Sequence, residues 1–185
     1  MYGMVNKALQ SLITQEYGEE AWESIKKAAG VGVHHFVSND GYADEVTFDL
    51  VKAASKILHA ESKDLLFAFG RHWVLNTAQQ EYGQLMSSGG LDVRSFLLYL
   101  PNFHTRIKLI FPHLIPPDFT CTDVTESSLR LHYRSHRVGL ASFVSGLLYG
   151  LGEFYNTPVR VQHEEVRGVS SDHDVFLVEW ETPAA

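Results

Sequence analysis

The spacing of the apolar residues changes at Ile115-Pro116-Pro117, and this change restricts the fold more than any other feature of the chain. Upstream, apolar side chains recur every three or four positions, which gathers them on one face of a helix. Val5, Leu9, Leu12 and Ile13 begin the series and Gly18 ends it. Trp22, Ile25 and Ala29 mark a second helix over residues 19–29, with Gly30 as its stop. Phe48, Val51 and Ile57 mark a third over 46–58, and Ser62-Lys63-Asp64 opens a fourth with Leu65, Leu66, Phe69 and Trp73 turned inward. Ser87-Ser88-Gly89-Gly90 reads as a loop. Residues 93–111 then form a long apolar helical stretch, in which Pro101 predicts a kink or a break because it has no N–H to donate.

Downstream, residues 119–124 and 128–137 alternate with period two, as strands do. Residues 139–154 return to the helical pattern, Asn156-Thr157-Pro158 is a turn, and 159–166 and 174–181 read as two more strands. Helices first, then strands with one inserted helix, define an α+β fold: an N-terminal helical part followed by an antiparallel sheet. At 185 residues the chain suits one core of ordinary size, and we read 1–182 as a single unit.

Charge and composition narrow the functions. A net charge of -7 argues against nucleic acid and anionic membrane surfaces, which both need clustered Lys and Arg. The single cysteine, Cys121, allows no intrachain disulfide and suits a reducing compartment. No signal-peptide run is evident, and no stretch reaches the ~18–20 apolar residues of a membrane span, so the expected location is cytoplasmic. The end at Glu181-Thr182-Pro183-Ala184-Ala185 suits either a whole protein or one domain of a longer one. Ten histidines invite a metal, yet neither CxxC nor HExxH occurs, and most of them read as solvated surface positions.

Two constellations stand out. In LRLHYRSHR (residues 129–137), alternation places Leu131, Tyr133, Ser135 and Arg137 on one face and Arg130, His132, Arg134 and His136 on the solvent face. An inward Arg137 needs an anion, and its sequence neighbours offer none. A ligand bearing carboxylates would satisfy Tyr, Ser and Arg together. On spacing alone, a strand edge where Arg137 reaches water explains the pattern equally well. The second constellation is His104, which shares an apolar stripe with Leu97, Leu100, Ile107 and Phe111. A histidine there is commonly a core residue. As a metal ligand, a lone imidazole in apolar surroundings suits heme iron better than zinc, which needs more protein ligands.

Several segments together resemble the heme-nitric oxide/oxygen binding (H-NOX) family, which includes the heme domain of soluble guanylate cyclase. They are the opening MYGMVNKAL, the segment NFHTRIKLIFPHLIPP (residues 102–117), the Tyr-x-Ser-x-Arg of YRSHR (residues 133–137) and the closing DHDVFLVEW (residues 172–180). The likeness runs from Met1 to about Trp180 and is nearest to stand-alone cyanobacterial members. It implies a heme b held between the helical part and the sheet, with His104 as axial iron ligand and Tyr133, Ser135 and Arg137 on the propionates. By the same likeness Pro117 and Val5 press on the porphyrin.

The resemblance also implies a distal gas pocket of Val5, Leu9, Trp73, Phe143 and Leu147. Matching through GLLYG puts Phe143 where oxygen-binding members carry a donor tyrosine, which points to nitric oxide and carbon monoxide as ligands. Trp73 brings an indole N–H, or serves only as a large core residue. Release of the iron–His104 bond would then signal to a separate partner, a histidine kinase or a cyclic-dinucleotide enzyme. The chain itself is expected to have no catalytic activity. Competing readings are an oxygen-binding heme protein, a cofactor-free adaptor, and a heme enzyme using His72. The last is disfavoured because adjacent helix positions point about 100° apart, so His72 and Trp73 cannot both face one group. Cys121 reads as a small hydrophobe.

Overall fold

The computed structural model describes residues 1–112 and 114–181. His113, inside the segment 102–117, and Thr182, the last residue of the expected unit, lie outside the described residues. Helices α1 (Gly3–Tyr17), α2 (Glu19–Ala28), α3 (Asp44–Ile57), α4 (Ser62–His72), α5 (Gln79–Ser87) and α6 (Val93–Ile110) precede strands β1 (Asp118–Thr122) and β2 (Ser128–Arg134). Helix α7 (Ala141–Phe154) and strands β3 (Val159–Glu165) and β4 (Asp174–Trp180) complete the α+β fold. The sheet has the order β1-β2-β4-β3, with every neighbouring pair antiparallel.

Two apolar cores result. One gathers Ile13, Trp22, Ile25 and Leu50 from α1–α3, all at most 1% exposed. The other packs Leu97 of α6 and Val144 and Leu148 of α7 on Leu129, Leu131, Phe176 and Val178 of the sheet. Trp73 touches both, and Phe143 packs against the first. The inward positions of β2 are Leu129, Leu131 and Tyr133, as period-two alternation requires.

Three local features depart from the sequence reading. Strand β2 ends at Arg134 rather than running to Arg137, because its partners end there. Arg134 pairs with Asp118, the first residue of β1, and Tyr133 pairs with Asp174, the first residue of β4. Before Asp118 stand Pro116 and Pro117, which have no N–H to continue a ladder. Ser135–Arg137 therefore leaves the sheet.

Second, α6 continues through Pro101 instead of breaking. Proline frees the carbonyl four residues upstream, that of Leu97, and the Cys121 thiol of β1 donates to that carbonyl at 3.6 Å. Third, a π-helical turn (Trp73–Ala78) joins α4 to α5 where the apolar pattern indicated one continuous helix. Such turns often sit at functional sites.

Helices α4 and α7 cross backbone to backbone. A Cβ on Gly146 would stand 2.0 Å from the carbonyl oxygen of Phe67, and one on Gly70 would stand 2.1 Å from that of Phe143. Only glycine permits this approach. It brings Phe143 and Leu147 of α7 beside the π-helical turn.

Candidate functional site

A cavity of about 270 Å³ is lined from both cores. Its walls are mainly apolar, with α1, α3, α4, the π-helical turn, α5, α6, the 111–117 link, the sheet and α7 all contributing. Nine of the ten residues singled out from sequence line it: Val5, Trp73, His104, Pro117, Tyr133, Ser135, Arg137, Phe143 and Leu147. Leu9 does not. It is 2% exposed and packs in the helical core, one turn of α1 beyond Val5.

His104 sits in the second half of α6. Its ring stacks on Phe119 with centroids 5.5 Å apart and 17° between planes, and Phe103 packs against its edge. Its Nδ1 is buried with no hydrogen-bond partner among the described residues. Burial pushes its pKa down to about 4, against a weaker opposing pull from Asp118. The imidazole is therefore neutral near pH 7 and keeps a lone pair for a metal. Among the described residues no cluster of three or more His, Cys, Asp or Glu could hold an ion. A metal at His104 must bring its other ligands with it, as a porphyrin does.

The polar groups of the cavity gather where β2 ends. Tyr133 is 5% exposed; burial raises its pKa, with Ser135 and Arg137 pulling the other way. The Ser135 hydroxyl accepts from the Arg137 backbone N–H at 3.1 Å. The anion that Arg137 needs is Asp44, 93 positions away at the start of α3, so the partner missing from the sequence neighbourhood comes from the helical half. Nε and Nη2 donate to its two carboxylate oxygens at 2.7 and 3.2 Å, and Nη1 donates to the Ile115 carbonyl at 3.1 Å. The Met1 ammonium also binds Asp44 at 2.6 Å, and His136 Nε2 lies 3.6 Å from it. Desolvation would raise the Asp44 pKa, but the N-terminal ammonium and Arg137 outweigh it and hold the carboxyl below its ordinary value.

Sequence reasoning missed Asp44 because nothing local marks a partner so far away. It also missed Tyr82, which lines the cavity and whose hydroxyl donates only to the thioether of Met4, a weak acceptor, at 3.5 Å. His72 behaves as geometry demanded. It is 7% exposed, its Nδ1 meets the Asn76 amide at 3.1 Å, and it does not line the cavity.

Comparison with known proteins gives the family and the fold. The chain belongs to the family described as haem-NO-binding, whose match spans residues 2–163. Soluble guanylate cyclase gcy-33 of Caenorhabditis elegans is 29% identical over 163 residues, covering 88% of this chain and 17% of that protein. Soluble guanylate cyclase 89Db of Drosophila melanogaster is 26% identical over 156 residues, covering 84% and 23%. The chain thus spans about a fifth of these relatives. Among solved structures, an H-NOX protein from S. oneidensis in the Fe(II)NO state superposes with a TM-score of 0.88 at 18% identity, covering 98% of this chain and 100% of that one. The unliganded Fe(II) H-NOX protein from K. algicida gives 0.86 at 21%, covering 98% and 97%. These likenesses establish the fold.

The residues present fit a heme. One neutral imidazole lines an apolar cavity, and at another part of the same wall stand the hydroxyls of Tyr133 and Ser135 beside the Arg137 guanidinium, which is paired with Asp44. A flat apolar group bearing iron and carboxylates needs that combination.

Proposed function

We propose that residues 1–182 form one sensor unit that binds heme b and detects nitric oxide and carbon monoxide. When bound, the heme supplies iron with a coordination position open to a diatomic gas. The observation that carries this reading is His104: buried, neutral and without a hydrogen-bond partner among the described residues, on the wall of an apolar cavity. In this reading His104 Nε2 would hold the iron, Tyr133, Ser135 and Arg137 would hold the carboxylates, and Val5 and Pro117 would set the shape of the pocket.

Val5, Trp73, Phe143 and Leu147 form the gas side. Phe143 has no donor, and Trp73 is the only one of the four with an N–H to offer. A wall poor in hydrogen-bond donors would disfavour dioxygen, which relies on a donor, over nitric oxide and carbon monoxide, which need one far less. The two gases named in the states of the S. oneidensis structures, nitric oxide and carbon monoxide, are of this second kind.

His104 is also the signalling element. Its Nδ1 lacks the hydrogen bond that ordinarily stiffens a ligating histidine and raises its basicity, so its hold is weak and readily lost. Without that hold, His104 would no longer tie α6 to the cavity, and α6 would be free to shift against β1. A separate signalling enzyme, a histidine kinase or one handling cyclic dinucleotides, would read that shift in the cytoplasm. The guanylate cyclase activity named for the relatives belongs to proteins about four to five times as long and is not carried over.

The test is selectivity. The reduced protein should change its visible absorbance with nitric oxide and with carbon monoxide and remain unchanged in air. Phe143→Tyr should make it respond to air. A wild type that responds to air as strongly as to nitric oxide contradicts the assignment of the gas side.

A further inference from the structure

The segment after β2 carries Ser135 and Arg137 but lies outside the sheet, so no ladder hydrogen bonds hold it. Its backbone is held instead by a residue of the β3–β4 turn. Arg167 Nη1 donates to the Ser135 carbonyl at 2.6 Å and to the Arg137 carbonyl at 3.3 Å, and so brackets the segment at both ends. Arg167 is itself anchored. Its backbone N–H donates to Asp174 Oδ1 at 3.2 Å, and that carboxylate, 9% exposed, also meets His163 Nε2 at 2.9 Å. The turn around it is closed by Gly168 N–H to the Ser171 carbonyl at 2.8 Å and by Val166 N–H to the Ser170 hydroxyl at 2.8 Å. Arg167 has no carboxylate side-chain partner within 4.0 Å among the described residues, so its guanidinium is committed to these two carbonyls.

We propose that Arg167 is a positioning residue for carboxylate binding: it fixes the backbone of residues 135–137 so that Tyr133, Ser135 and Arg137 keep the spacing that holds the heme carboxylates. This rests on the heme reading above. A guanidinium suits the task because the two N–H bonds of Nη1 are held in fixed directions by the planar group, one for each carbonyl, whereas a lysine ammonium turns freely on a flexible stem. Arg167 acts through the segment and does not touch the cavity itself, since it is absent from the lining.

The experiment measures the rate at which the heme-loaded protein gives up heme to an excess of a heme-free scavenger globin. Wild type, Arg167→Ala, Arg167→Lys, Arg167→Gln and Arg137→Ala are compared at low and high ionic strength. Arg167→Ala should release heme about tenfold faster, as the loss of hydrogen bonds from a charged donor implies. That increase should persist at high salt, Arg167→Lys should not abolish it, and Arg167→Gln, with an amide that still reaches one carbonyl, should fall between. Should Arg167→Ala fail to fold by circular dichroism, Arg167→Gln against wild type decides alone. Release at the wild-type rate from Arg167→Ala or Arg167→Gln, with Arg137→Ala faster, overturns the role of Arg167 and leaves the heme reading intact. Full rescue by Arg167→Lys, or an effect erased by salt, also overturns it in favour of a purely electrostatic action. A wild type that takes up no heme overturns the heme reading instead.

Discussion

At the scale of single residues, what the sequence reveals is chemical type and periodic position, and what it hides is partnership. His104 was legible as a histidine on an apolar stripe, and the stripe is real: Leu97, Leu100, Ile107 and Phe111 are buried. Periodicity leaves a core histidine and a ligand equally open. Burial on the wall of an apolar cavity and the pKa near 4 argue for a ligand, and both arise from Phe119 and the rest of that wall, brought from other elements. Arg137 shows the same limit. Its need for an anion follows from alternation, but the anion that answers it, Asp44, is 93 positions distant. Cys121 was read as a small hydrophobe and also turns out to cap the carbonyl that Pro101 leaves free. Removing the thiol should therefore cost stability only while Pro101 is present. Cys121→Ala should lower the unfolding free energy by about 1 kcal/mol beyond its lost packing, and the same change on a Pro101→Ala background should lose that excess. Urea unfolding of the four proteins measures the coupling, and additive effects would show that the thiol contributes no bond there.

At the scale of elements, the helices, the four strands and their order followed from period and punctuation. The misjudged ends have tertiary causes. β2 stops where β1 and β4 begin, and a single strand's alternation cannot reveal where its partners start. The π-helical turn escaped because one extra residue in a helix alters the apolar period too little over six positions. The α4–α7 crossing was visible only as a glycine-rich sequence. Its consequence is specific: a helical Gly→Ala change ordinarily stabilises by up to about 1 kcal/mol, but at Gly146 the added methyl meets the Phe67 carbonyl oxygen at 2.0 Å. The clash should win, as overpacking usually costs about 1–3 kcal/mol. Gly146→Ala should lower the melting temperature and move Phe143 and Leu147 away from the π-helical turn, whereas Gly83→Ala on α5, with nothing within 4 Å, should leave or raise it.

At the scale of the whole molecule, the two cores meet across the cavity, and Asp44 ties them on one side by binding both Met1 and Arg137. Its pKa is lowered in the fold, so the folded state favours the carboxylate. The stabilisation is fully present above the ordinary carboxyl value of 3.8 and is lost as pH falls through the lower folded value. Acid unfolding should accordingly begin earlier for Asp44→Asn, and the variant should lose about 1 kcal/mol near pH 7, a modest figure because the carboxylate is partly solvated. A wild type and an Asp44→Asn variant with the same acid midpoint would show that the tie contributes nothing. The family match and the shared fold place this arrangement among haem-NO-binding proteins.

The central claim is that His104 holds a heme whose gas response passes through this one residue. The measurement that tests it most directly is the visible spectrum of the reduced protein for wild type and His104→Gly, each with and without free imidazole. We predict a heme absorbance band in the wild type, a changed or lost band in His104→Gly, and its recovery when imidazole takes the place of the missing ring. A band identical in both proteins and indifferent to imidazole, or no band in the wild type, would contradict the account.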